Sequence, residues 1–224
     1  TSVPDQPPTT GWGGRVADLL NSIANPNGSI SMSVSLAGAN TFEIGNLVSQ
    51  YHVSTSGAVT LSGDLMTGTG ARLRVLRDIL GLSHVNLQRG AYSEVVDRAI
   101  ATGELLNQAI LDTVEPGWTW STPFPTSGLG NQLKMIARLI QARGNAQAPV
   151  AGKFNMARQI FFCNIGGFDT HAGQVTLTPA LDPLTGTHNN LLSDVSECMF
   201  AFQRAMEQLG VSNQVTTFTA SDFA

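Results

Sequence analysis

Apolar residues fall at helical spacing in five stretches of this chain. Between Gly14 and Ile23, Val16, Leu19, Leu20 and Ile23 share one face, and the run Asn25-Pro26-Asn27-Gly28 stops the helix. The stretch from Ala71 closes on Gly81. A longer one, from about Tyr92 to Leu111, sets Val96, Ile100, Leu106 and Ile110 near helical spacing, with Gly103 interrupting. Asn131 to Arg143 aligns Leu133, Ile136, Ala137 and Ile140. His188 to Leu209 aligns Leu191, Val195, Cys198, Phe202, Ala205 and Leu209. Each stripe is expected to pack on a common core.

Elsewhere the period changes. Ile30 to Leu36 alternates apolar residues with serine, and Leu47–Ser54 and Ala58–Gly63 follow between turn residues. Such alternation reads as short, half-exposed strands joined by hairpins, so a small antiparallel β decoration is expected over about residues 30–62. Ile160–Ile165 is instead a continuous apolar run ending at Gly166-Gly167, as in a strand buried on both faces. Gln214–Ser221 reads as another strand. A strand, a long helix and a second strand imply a right-handed parallel unit. The expected fold class is therefore α/β, a mostly parallel sheet flanked by helices, in one domain over residues 1–224. A Pro-rich loop over residues 1–14 leads in.

Composition narrows the function. With 12 basic and 16 acidic residues the net charge is −4, and the basic residues form no stripe, which excludes a nucleic-acid partner. Charged residues make up 12%, about half the usual share of roughly 25%, which points to an extracytoplasmic (periplasmic or secreted) protein. No apolar run reaches the roughly 18 residues of a membrane helix, so no transmembrane segment is expected. The two cysteines, Cys163 and Cys198, are too few for a disulfide framework and match no zinc spacing. Both sit in apolar runs, as small buried hydrophobes do.

Candidate chemistry gathers after the strands. In Gly-Gly-Phe-Asp-Thr-His, Asp169 and His171 supply a carboxylate and an imidazole two positions apart, both ligands for a divalent metal ion such as Zn²⁺ or Mn²⁺. Asp222 stands just past the Gln214–Ser221 run. In neighbouring parallel strands the three would share one rim, where α/β sheets bind ligands. The plain alternatives are a turn-capping Asp169, a surface His171 and a turn or helix-capping Asp222. His188 fits a polar first-turn residue, and His52 and His84 have no ligand nearby in sequence. Trp118, Trp120 and Phe124 either line a groove or pack their loop against the domain. No Gly-x-Ser-x-Gly occurs, and the sequence singles out no nucleophile.

At GWGGRVADLL, QLKMIARLIQAR, RQIFFCNIGGFDTHAGQ and QVTTFTASDF the chain resembles the exported bacterial sulfatase-like proteins of domain of unknown function family 1501, in the alkaline phosphatase and sulfatase superfamily. The resemblance implies an alkaline phosphatase-like α/β core whose strand ends hold one or two divalent ions (Zn, Mn or Ca) against a phosphate or sulfate ester. It also implies that Asp169, His171 and Asp222 are metal ligands. Phe223 stands where better-known members of the superfamily often have His. Family members carry further site segments on both flanks, so the chain is expected to be the central fragment of a larger domain. Flanking segments of the same precursor, or another copy in an oligomer, would then complete the site. Three readings follow: a metal-dependent ester hydrolase, a non-catalytic extracytoplasmic structural or binding protein on the same fold, and a carbohydrate-binding module resting on the tryptophan loop alone.

Overall fold

The computed structural model describes residues 9–58, 71–83, 85–111, 113, 119–144, 150–175 and 186–221. Five helices form where the apolar spacing predicts them: α1 (Trp12–Ala24), α2 (Ala71–Leu80), α3 (Leu87–Leu111), α4 (Gly128–Gln141) and α5 (Thr187–Gln208). Ser127 caps α4, its hydroxyl accepting the Gly130 N–H at 3.1 Å. Arg138 of α4 donates to the Ile110 carbonyl (3.0 Å) and to the Thr113 hydroxyl (3.3 Å), closing the carboxyl end of α3.

Four strands, β1 (Ser33–Ser35), β2 (Tyr51–Ser54), β3 (Gly57–Ala58) and β4 (Ile160–Phe162), form one sheet in the order β3-β2-β1-β4. β1 is parallel to both β2 and β4, and β2 pairs antiparallel with β3. The protein is thus α/β, with a mixed, mostly parallel sheet flanked by helices. Met32, Val34, Leu36 and Val53 join Leu133, Ile136, Ile140, Phe154, Phe202 and Met206 in one buried cluster.

Three sequence expectations are corrected. The first is the antiparallel decoration over residues 30–62: β1 and β2 are parallel strands of the main sheet, and only the β2–β3 hairpin is antiparallel among the described residues. The alternation misleads because Ser33 and Ser35 are fully buried rather than half-exposed. β1 is thus the strand buried on both faces, whereas β4 is only half-buried. Second, Val215–Ser221 belongs to no strand and is largely exposed, so the parallel partner expected for β4 is β1 instead. Third, the Val16-Leu19-Leu20-Ile23 stripe of α1 does not face the core. Gly13, Gly14 and Ala17 are buried, while Leu19 is 72% and Ile23 78% exposed.

The inverted docking of α1 follows from the crossover that joins β1 to β2, residues 36–50. This crossover contains no helix, so its peptide groups need outside partners. The first turn of α1 supplies them: Gly11 N–H donates to the Ile44 carbonyl (2.9 Å) and Gly14 N–H to the Phe42 carbonyl (3.0 Å). The approach is so close that a Cβ on Gly11 or Gly14 would collide with crossover backbone. One turn on, Asp18 accepts the N–H groups of Asn46 (2.6 Å), Leu47 (2.9 Å) and Val48 (2.8 Å). At the other end of α1 the buried Asn25 side chain accepts from Ala157 (2.8 Å) and Arg158 (3.0 Å) and donates to the Arg158 carbonyl (2.9 Å). That tie fixes the approach to β4.

Two outcomes follow. Gly14→Ala will destabilise the fold by about 3 kcal/mol through backbone collision, whereas Leu19→Ser will change stability by no more than about 0.5 kcal/mol; urea unfolding checks both. The Asp18 carboxyl lies below its usual range because Val48, Asn46 and Leu47 donate to its ionised form. Its contribution is complete above the ordinary value of 3.8 and is lost as pH falls through the lower folded-state value. The melting-temperature gap between wild type and Asp18→Asn should therefore be open at pH about 6 and close toward pH about 2.

Candidate functional site

The sheet order makes a topological switch point at β1. From β1 the chain passes to β2 on one side, and it later returns to lay β4 on the other, so the connections leave β1 in opposite directions. In open α/β sheets ligands bind outside the carboxyl ends of the strands at such a switch point. The segment leaving β4 at this point, residues 163–175, carries the Gly-Gly-Phe-Asp-Thr-His motif.

That loop is tied at both ends. Asn164 N–H donates to the Gln132 side chain (3.1 Å), and Gln132 Nε2 donates back to the Asn164 carbonyl (3.0 Å), pinning the start to α4. At the far end Thr187 and His188 N–H groups donate to the Gly173 and Gln174 carbonyls, both at 3.3 Å, fastening it to the first turn of α5. Between these ties Gly167 adopts φ +95° above Leu191, a conformation that selects glycine. The Phe168 ring meets His188 edge-on at 5.9 Å.

The turn presents Asp169 and His171 together. His171 Nδ1 pairs with Asp169 Oδ1, and their side chains are 84% and 63% exposed. A carboxylate and an imidazole in contact on a fastened, solvent-facing loop can bind one cation or share a proton. Among the described residues no third His, Cys, Asp or Glu joins them to make a metal-holding group. Asp222 lies outside the described residues. The segment leading toward it passes the same end of the sheet: Phe218 stacks on Trp12 (5.9 Å), Trp12 meets Phe42 edge-on (4.6 Å), and Phe42 lies 6.0 Å from Phe162 of β4.

The remaining histidines and cysteines behave more plainly. His188 is in the first turn of α5, His52 is exposed and lies 2.9 Å from the Gln50 side chain, and His84 is outside the described residues. Trp120 and Phe124 meet edge-on at 5.7 Å and pack against the core, while Trp118 is outside the described residues. Both cysteines are free; Cys198 is fully buried and Cys163 partly so. Burial pushes each thiol up to about 11, so neither is a ready thiolate.

Sequence reasoning missed Glu43. It sits in the crossover, fully buried, at the β1 face that carries Ser33 and Ser35. Asn40 Nδ2 (2.9 Å) and Gln50 Nε2 (2.7 Å) both donate to its Oε2, and Asn40 also reaches the Ser35 hydroxyl at 3.3 Å. Burial raises its carboxyl above the ordinary value, against the hydrogen bonds of Asn40, Gln50 and the Val34 backbone, which lower it. Nothing in the sequence marks it, because Asn40, Glu43 and Gln50 stand among further polar residues, Thr41, Asn46 and Ser49.

Comparison with known protein families, with curated proteins and with solved structures finds no significant match to this chain.

Because Asp169 and His171 are exposed and their loop is held by backbone and Gln132 contacts, Asp169→Ala and His171→Ala should each leave stability within about 0.5 kcal/mol of wild type. Thermal unfolding of both variants checks this, and a large loss would mark the pair as structural.

Proposed function

We propose that this chain is the central portion of an extracytoplasmic, sulfatase-like or alkaline phosphatase-like protein that binds a divalent metal ion and hydrolyses phosphate or sulfate esters. The observation that supports the reading is the contact pair Asp169–His171 on a fastened, solvent-facing loop at the carboxyl end of a parallel strand. One carboxylate and one imidazole suit Zn²⁺ or Mn²⁺ better than Ca²⁺, which takes six to eight oxygen ligands. A catalytic zinc site uses three protein ligands. In this reading Asp222, following a segment guided past the same rim by the Trp12–Phe218 stack, is the third.

A divalent ion there would neutralise charge on the oxygens of a transferring phosphoryl or sulfuryl group. The chain's part is to hold the ion and orient the ester; the nucleophile and any further ligands come from flanking segments of a longer protein or from a second copy. A second reading, a non-catalytic structural or binding protein on the same fold, is favoured by the absence of a third ligand among the described residues. It is also favoured by Phe223 beside Asp222, where His would have offered another.

Metal binding separates the two. Equilibrium dialysis against Zn²⁺ and Mn²⁺ should show one ion per chain, with affinity reduced by about tenfold or more in Asp169→Asn and in Asp222→Asn. Turnover of nitrophenyl phosphate or nitrophenyl sulfate should be slight for residues 1–224 alone and should rise, chelator-sensitively, in a longer chain carrying both flanks. A wild type that binds no more metal than Asp169→Asn would sink the metal site. A metal-loaded longer chain without turnover would move the assignment to the second reading.

A further inference from the structure

Glu43 has features that its packing role does not require. Its side chain has no exposure at all. The ion pairs among the described residues, Arg77 with Glu104, His171 with Asp169 and Arg204 with Glu207, leave it without a cation. Both side-chain donors that reach it converge on Oε2. Oε1 is buried with no hydrogen-bond partner, and so is the hydroxyl of Ser33 on the same face of β1. Ionising a carboxyl in such a place is costly. A carboxylic acid needs no counter-charge, and it turns the bare Oε1 into a donor.

We propose that Glu43 is a proton-held latch on the 36–50 crossover: the neutral acid seats the crossover over the buried serine face of β1, and loss of its proton releases it. The groups around it are consistent with a single titrating site. Within the crossover its neighbours are the neutral Asn40 and Gln50. Just past β4 the Cys163 thiol lies near it, itself held protonated chiefly by burial, and only an ionised Glu43 would add to that. From β2, His52 reaches it only through Gln50. On α1, Asp18 bonds the Asn46–Val48 amides and Arg15 turns to Thr10. Among the described residues no ion pair is made to stabilise an ionised Glu43.

The sign follows from the raised carboxyl. Below the ordinary value of 4.5 both the seated and the released states hold the proton, and pH has no effect through this group. Between that value and the higher seated-state value only the seated state keeps it, so seating weakens as pH rises. Above the seated-state value the penalty is constant.

The reporters are the amides of Gly11 and Gly14, whose N–H groups donate to the Ile44 and Phe42 carbonyls of the crossover. Hydrogen exchange is measured on wild type and Glu43→Gln at matched pH, so that the intrinsic pH dependence of exchange cancels. The Gln variant keeps an oxygen for Asn40 and Gln50 but cannot ionise. Relative to it, wild-type protection should fall by up to about tenfold per pH unit within the titrating window. Its melting temperature should drop in the same window by about 3–5 °C for each tenfold loss. Identical pH profiles in the two proteins would overturn the proposal. Should Glu43→Gln fail to fold, the carboxyl carbon of Glu43 is titrated by NMR in the wild-type chain. A midpoint above the ordinary glutamate value supports the latch, and one at or below it overturns it.

Discussion

A connection between two parallel strands usually carries a helix that satisfies its own peptide groups. The β1–β2 crossover here has none, and its backbone is completed from outside. Gly11 at the N-cap of α1 and Gly14 within it meet its carbonyls while Asp18 meets its amides. This backbone-to-backbone fit dictates much else. Only small residues allow the approach, so α1 docks by Gly13, Gly14 and Ala17 and turns its large apolar side chains outward. Once docked, its far end places Asn25 against residues 157 and 158, and that contact leads the chain into β4. One short helix thus serves both neighbours of the central strand.

The sheet order converts that arrangement into a site. With β2 and β4 on opposite sides of β1, the crossover leaves the carboxyl end of β1 and the loop that bears Asp169 and His171 leaves that of β4. The two connections differ in kind. The loop after β4 is fastened by its main chain and holds its charged side chains in solvent, where a ligand can reach them. The crossover buries its one acid, Glu43, among amides and hydroxyls. A carboxylate offered to solvent can bind a cation at little desolvation cost, while a buried acid without a counter-charge favours the protonated form. The same residue class therefore plays opposite parts in the two connections that leave the carboxyl ends of β1 and β4.

The helices were legible because their signal is repeated: α5 repeats its apolar spacing over several turns, and the residues expected on the inner faces of α4 and α5, such as Ile136 and Phe202, are buried. The strands from residue 30 to 58 and at 160–162 were legible in place, but their pairing and burial were not. Serine at 33 and 35 looks like a solvent-facing position, yet both are fully buried, the Ser35 hydroxyl being met by Gly38 and Asn40. Periodicity also gives the face of a helix but not its direction, which is why the α1 stripe was expected inside. In the site, the pairing of Asp169 with His171 was readable from a two-residue spacing in a Gly-rich turn. Glu43 was not, since an isolated acid in a loop sequence carries no mark of burial; only the fold supplies it.

The central position of β1 also sets an order of events. Val34 pairs with Tyr51 on one side and with Phe161 on the other, so the second closure spans a loop more than seven times longer. Closing the longer loop costs about 2 kcal/mol more in chain entropy, and contacts of that separation form slowly. The β1–β2 half of the sheet therefore has the kinetic advantage, while the β1–β4 seam waits on the longer closure, across the span that holds α2, α3 and α4. The loop that carries Asp169 and His171 is set in place beside β1 by that longer closure.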